Sequence, residues 1–159
     1  MKRTLISIRF FTLFLACILL YGCVPPEVQD PTISEVPDNT AEIRVYAEAD
    51  PDTVLEQVRQ ELLNQAFQIK DYGNRRRFLT TDYKPIGGQL SLSIHVTVEV
   101  DVNNSKPVCV FRGYVSRPGE TTKPVRWSNS GGDRARAFKE MRDVARKIPH
   151  ELILYGVPL

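Results

Sequence analysis

The side chains that could do chemistry are few and scattered. Two histidines, His95 and His150, and three cysteines, Cys17, Cys23 and Cys109, are the soft metal ligands among 159 residues. None stand at the short spacings that hold zinc or another transition metal, so no metal site and no cofactor are expected. His95, Thr97 and Glu99 alternate along one segment, which puts an imidazole and a carboxylate on one side of an extended chain. Such a pair could hold a general base. A base needs a nucleophile or a substrate pocket, and none is indicated. His95 therefore reads as an exposed histidine on a wet sheet face. Arg75-Arg76-Arg77 follow Gly73-Asn74. Three guanidiniums at a hairpin tip could clamp a carboxylate, a phosphate or a lipid head group. A solvated turn whose charge protects a strand edge is the plainer reading. Ser128-Asn129-Ser130-Gly131-Gly132-Asp133 resembles an anion-binding turn before a helix, without the lysine or spacing of a phosphate loop. Capping by Ser130 or Asp133 accounts for it. Trp127, the sole tryptophan, either closes the edge of the core or stands out as an anchor for a partner. No catalytic signature emerges, and the expectation is a chain that is not an enzyme.

The elements that must position these residues follow from periodicity. Ile43, Val45 and Ala47 alternate with polar residues as in a strand. Asp50-Pro51-Asp52 opens a helix, with Asp50 as N-cap and Pro51 in the first turn. Val54, Leu55, Val58, Leu62 and Ala66 form its apolar stripe. Residues 67–72 and 77–83 read as a hairpin around Gly73-Asn74. From Leu90 to Val102, seven apolar residues alternate with six polar ones. Val96 and Val98 are expected on the core, with Ser93, Thr97 and Glu99 on the opposite face. Asn103–Pro107 turns the chain, and Val108–Val115 returns with Cys109, Phe111 and Val115 on one face. After a Gly/Pro/Ser-rich loop at 116–132, a basic amphipathic helix starts near Asp133. Phe138, Met141, Val144, Ala145 and Ile148 face inward, with Arg134, Arg136, Lys139, Arg142 and Arg146 among or opposite them. Pro149 should break this helix, and residues 152–155 pack its end. The expected fold is α+β: a two-layer sandwich of an antiparallel sheet with two helices on one face, in the order β-α-β-β-β-β-α.

Composition divides the chain. Of 21 basic residues, Lys2, Arg3 and Arg9 lie in the first 22 positions, which hold no acidic residue. Without them 18 basic residues face 19 acidic ones, and the net charge moves from +2 to −1. The apparent basicity is a property of the N-terminus and gives no ground for nucleic-acid binding. A basic start followed by the apolar run from Phe10 to Leu20 has the form of a secretory signal. The run is shorter than the roughly 20 apolar residues that span a bilayer.

Leu20-Tyr21-Gly22-Cys23 closes that run and resembles the lipobox of bacterial lipoproteins, with Leu at −3, a small residue at −1 and Cys at +1. Tyr21 departs from the usual small or β-branched residue at −2. The resemblance implies diacylglycerol on the Cys23 thiol, cleavage before it, and acylation of the new amine. Two or three acyl chains, at about 0.8 kcal/mol per buried methylene, make a stable anchor. Residues 1–22 are then a removed signal peptide. Cys17 leaves with it, and Cys109 is left with no partner for an internal disulfide. Val24 follows the lipid cysteine, where Asp often retains enteric-type lipoproteins in the inner membrane. The resemblance thus implies an outer membrane attachment facing the periplasm, with palmitate or a related acyl group as the lipid anchor.

Residues 23–41 carry four prolines and four acidic residues with no basic one, and read as an extended tether reaching about 50 Å in a polyproline-like state. Residues 42–159 form the single domain. Within it, Leu62–Asp71 followed by Phe78–Tyr83 is similar to the helix-grip domains of the C-subunit lipoprotein of the outer-membrane β-barrel assembly machinery, over roughly residues 51–83. Those domains bind partners and are not enzymes. No segment here matches that protein's partner-binding region, so no partner carries over. The expected function is a membrane-anchored lipoprotein of the cell envelope, with a binding or structural role toward a protein partner or peptidoglycan through the polar sheet face or the long loop. A small lipid- or ligand-binding module is the alternative, and a hydrolase using His95 the third reading. No oligomeric state is specified.

Overall fold

The computed structural model describes Pro31, Thr32 and residues 35–156. The signal segment, Cys23 and Val24 lie outside the described residues. The order is β1 (Glu42–Ala47), α1 (Pro51–Asn64), β2 (Ile69–Gly73), β3 (Phe78–Thr81), β4 (Lys84–Gly87), β5 (Leu90–Val100), β6 (Pro107–Ser116), β7 (Lys123–Pro124), α2 (Asp133–Ala145) and β8 (His150–Gly156). These form an open antiparallel sheet of eight strands with two helices, an α+β fold. The main path runs β2-β3-β5-β6-β1-β8, with β4 also paired to β5 and β7 to β6.

The element order expected from the sequence needs correction at three places. Residues 84–87, which the expected order left without an element, form β4, which pairs with β5 and continues its edge where β3 leaves off. Two residues of the long loop pair with β6 as β7. Residues 152–155, expected to pack the end of the helix, belong to strand β8 on β1. The last helix stops at Ala145, before Pro149 can act on it.

Local chemistry explains the boundaries. Asp50 Oδ1 accepts the N–H groups of Asp52 and Thr53, both at 3.1 Å, and caps α1. At its other end Phe67 N donates to Leu62 O and Ala66 N to Leu63 O, both at 2.9 Å, a Schellman closure that requires a left-handed residue. Ala66 takes that role with φ 60°. It is exposed, beyond the end of the apolar stripe to which the periodicity assigned it. Strand β5 ends at Val100 because Asp101 begins a tight loop, accepting Asn103 N on its side chain and Ser105 N on its carbonyl, both at 2.8 Å. Val102, expected in the strand, is 96% exposed.

The core joins Val54, Leu55, Val58 and Leu62 of α1 with Phe138, Met141 and Val144 of α2, and with Ile43, Val45, Leu92, Ile94, Val96, Val98, Cys109 and Phe111 of the sheet. Strand register puts those sheet residues side by side on one face, as in Ile43↔Phe111↔Val96↔Leu79. Gly113 lies on the same face, opposite Ile94. A methyl there would come within 2.8 Å of Val125 and 3.2 Å of the Met141 sulfur, so the loop and α2 close over a missing side chain.

Of the segment expected as tether, the described part packs on the domain. Val36, Thr40 and Ala41 are buried. Thr40 O accepts Trp127 N at 2.7 Å, and Trp127 O accepts Asn39 N at 3.0 Å. Arg142 Nη2 donates to Pro31 O at 2.7 Å and its Nε to Tyr155 Oη at 2.8 Å. This guanidinium, only 7% exposed, joins α2 and β8 to the incoming chain.

Candidate binding face of the sheet

Alternation sends the intervening residues to the opposite face. Register aligns them across five strands: Asp71 on β2, Thr80 on β3, His95 on β5, Arg112 on β6 and Glu42 on β1. The neighbouring file holds Phe78, Thr97, Val110 and Arg44. Glu42, at the β1 end of the first file, is the centre of a charged cluster and is only 3% exposed. Its Oε1 accepts Arg44 Nε at 2.6 Å, and its Oε2 accepts Arg112 Nε at 2.9 Å and Nη2 at 2.5 Å. A buried carboxylate held by two guanidiniums satisfies its charge and hydrogen bonding together. Glu42 also holds the Arg44 pKa above its ordinary value, chiefly through the hydrogen bond. Both arginine side chains remain more than a third exposed.

His95 is exposed beside this cluster, its ring 4.6 Å from that of Tyr114 and tilted by 49°. Partial desolvation, helped by the positive charge of Lys70, lowers its pKa below 6.5. Its strand neighbours are Thr80 and Arg112.

Two members of the outward set are not open. Ser93 is buried and its Oγ donates to Thr81 O at 2.7 Å, while Thr81 Oγ1 accepts Ile94 N at 2.9 Å. These bonds bridge the gap where β3 gives way to β4 along the edge of β5. Thr97 is half-buried, and its Oγ1 is buried with no hydrogen-bond partner. Glu99 is exposed as expected.

The remaining candidates disperse. Arg75 and Arg76 are exposed in the turn after β2, whereas half-buried Arg77 turns back, its Nε 3.3 Å from Asp52 Oδ1. The three do not converge. Trp127 is 7% exposed and packs on Phe138 at 5.8 Å between ring centres, with Nε1 donating to Asn129 Oδ1 at 3.0 Å. It closes the core edge, and the exposed-anchor reading falls. The loop before α2 is capped by neither Ser130 nor Asp133. Gly132 holds the N-cap position without a side-chain bond; Asp133 pairs with Arg117, and Ser130 bonds Ser128. Cys109 is buried, and burial pushes its pKa up to about 12, which leaves an inert thiol.

Glu42, Arg44 and Arg112 were missed in the sequence. Charges at alternate positions on Glu42 and Arg44 were the available signal, but Arg112 lies 70 residues away, and only the β1–β6 pairing brings it near. Comparison with protein-family models finds no match, and comparison with curated proteins finds none either.

Proposed function

We propose that the chain is a lipid-anchored envelope protein whose domain binds a partner, an envelope protein or peptidoglycan, through the sheet face that bears the Glu42 cluster, and that it catalyses no reaction. In this reading both helices cover the face bearing Ile43, Phe111 and Ile94, giving a two-layer sandwich with the other face left for the partner. Both helices contribute to one core and contact β5 and β6, which supports that arrangement.

The observation that carries the proposal is the Glu42 cluster. An arginine has five N–H donors in a fixed fork. Arg44 gives Glu42 only its Nε, and Arg112 keeps its Nη1. The spare donors point to a carboxylate-bearing partner, and the buried Glu42 fixes the guanidiniums in advance, which lowers the ordering cost on binding. Tyr114 and His95 supply adjoining aromatic surface. The interior between sheet and helices is filled by fully buried Phe67, Phe111, Phe138 and Met141, which weighs against a lipid-carrying cavity.

The anchor rests on the sequence around Cys23. Intact-mass spectrometry of the native protein tests it: a chain beginning at Cys23 with two or three acyl groups is expected, and Cys23→Ser should either release the domain from the membrane or leave it uncleaved. A mature chain beginning elsewhere, with no lipid, would end this part of the proposal. With inner- and outer-membrane markers, fractionation should place it with the outer membrane.

A further inference from the structure

The two outer strands of the sheet are guarded differently. Strand β2 carries Lys70 and Asp71 and a bulge between Ile69 and Asp71, the usual protection of an exposed edge. In β8 the register shift and the one carboxylate, Glu151, lie at the start, and Lys106 engages Glu151 there. From Leu152 to Gly156 the strand is regular and uncharged, with Leu152 and Leu154 each 43% exposed. Among the described residues, β8 pairs only with β1.

The direction of its hydrogen bonds is also defined. Gly156 turns its carbonyl toward the β1 side, where it accepts Ala41 N at 3.1 Å. Bonding direction alternates along an antiparallel strand. Leu154 and Leu152 therefore bond toward β1, and Ile153 and Tyr155 present N–H and C=O to the free edge.

We propose that this edge pairs with β8 of a second copy of the chain, antiparallel, about a two-fold axis at Leu154. In that register Ile153 of each copy exchanges hydrogen bonds with Tyr155 of the other, four bonds in all. The two Leu154 side chains meet across the non-hydrogen-bonded position, where strands bring side chains closest. Leu152 of each copy lies over Gly156 of the other, a large side chain against none. No charge opposes a like charge, because both Glu151 residues fall outside the paired stretch. This self-complementarity argues for a second copy over an unrelated strand. It is independent of the Glu42 face and of the anchor.

The test is cross-linking of the full chain purified from its native fraction. Opposed Cα atoms at a non-hydrogen-bonded pair lie about 4.5 Å apart, within the range a disulfide spans. Under mild oxidation L154C should convert largely to a covalent dimer, while L152C and the wild type stay at background. In sedimentation equilibrium the wild type should show twice the monomer mass, and L154K the monomer mass with a native circular dichroism spectrum and a cooperative melt. A monomeric wild type, an L154C that fails to cross-link, or an L152C that cross-links as readily would overturn the proposal.

Discussion

Arg112 and Glu42 stand directly opposite one another on β6 and β1, and the guanidinium gives two hydrogen bonds, at 2.9 and 2.5 Å, to a single carboxylate oxygen. Arg44 gives one bond to the other oxygen. Arg112→Met should therefore cost more stability than Arg44→Met. The arginines are partly solvated, so the larger loss should be about 1–2 kcal/mol. Urea unfolding of the two variants measures the order; equal losses would show that the bidentate bond adds nothing.

On β5 the buried Thr97 hydroxyl has no partner. Thr97→Val removes an unsatisfied polar atom with little change of shape and should be neutral or stabilise by about 1 kcal/mol. Val98, one position on, is 5% exposed on the core side, and Val98→Asp should unfold the domain. Thermal melts decide it, and a destabilised Thr97→Val would mean that the hydroxyl does have a partner.

With a folded pKa below its ordinary 6.5, His95 is a group that the unfolded chain protonates more readily. Stability should rise with pH between the folded value and 6.5, and fall again as pH drops through that window. Lys70→Gln, by removing a positive charge, should raise the midpoint. Only two histidines contribute signals, so proton NMR can follow the titration; a midpoint at or above 6.5 would contradict the burial that causes the shift.

Ala66 closes α1 at φ 60°, where a side chain is strained and glycine is not. Ala66→Gly should stabilise the domain by about 0.5–1 kcal/mol, seen as a higher melting temperature. A loss of the size usual for glycine inside a helix would show that Ala66 is still helical.

Where one segment's periodicity decides its structure, the sequence was legible. The alternation from Leu90 to Val100 is strand β5, the Asp50-Pro51 signal starts α1, and Gly73-Asn74 marks the β2–β3 hairpin. What it concealed depends on partners far along the chain. Residues 150–156 are a strand only because β1, about a hundred residues earlier, offers an edge; Lys84–Gly87, by contrast, pairs locally with β5 across Gly88-Gln89. Arg142 looked like one more surface cation of a basic helix until Tyr155 and Pro31 were seen beside it. The Arg75–Arg77 triplet sits in the turn after β2, as its plainer reading has it, with Arg75 and Arg76 exposed and Arg77 directed to Asp52.

The claim that most needs testing is that the Glu42 face meets a partner in the envelope. A photo-cross-linking residue placed at His95, on that face, and at Gln60, exposed on α1, should be activated in native membranes. The account predicts a defined covalent adduct from position 95, absent from position 60 and lost when Arg44 and Arg112 are both replaced by Met in a chain that still folds. No adduct from position 95, or the same adduct from both positions, would contradict it.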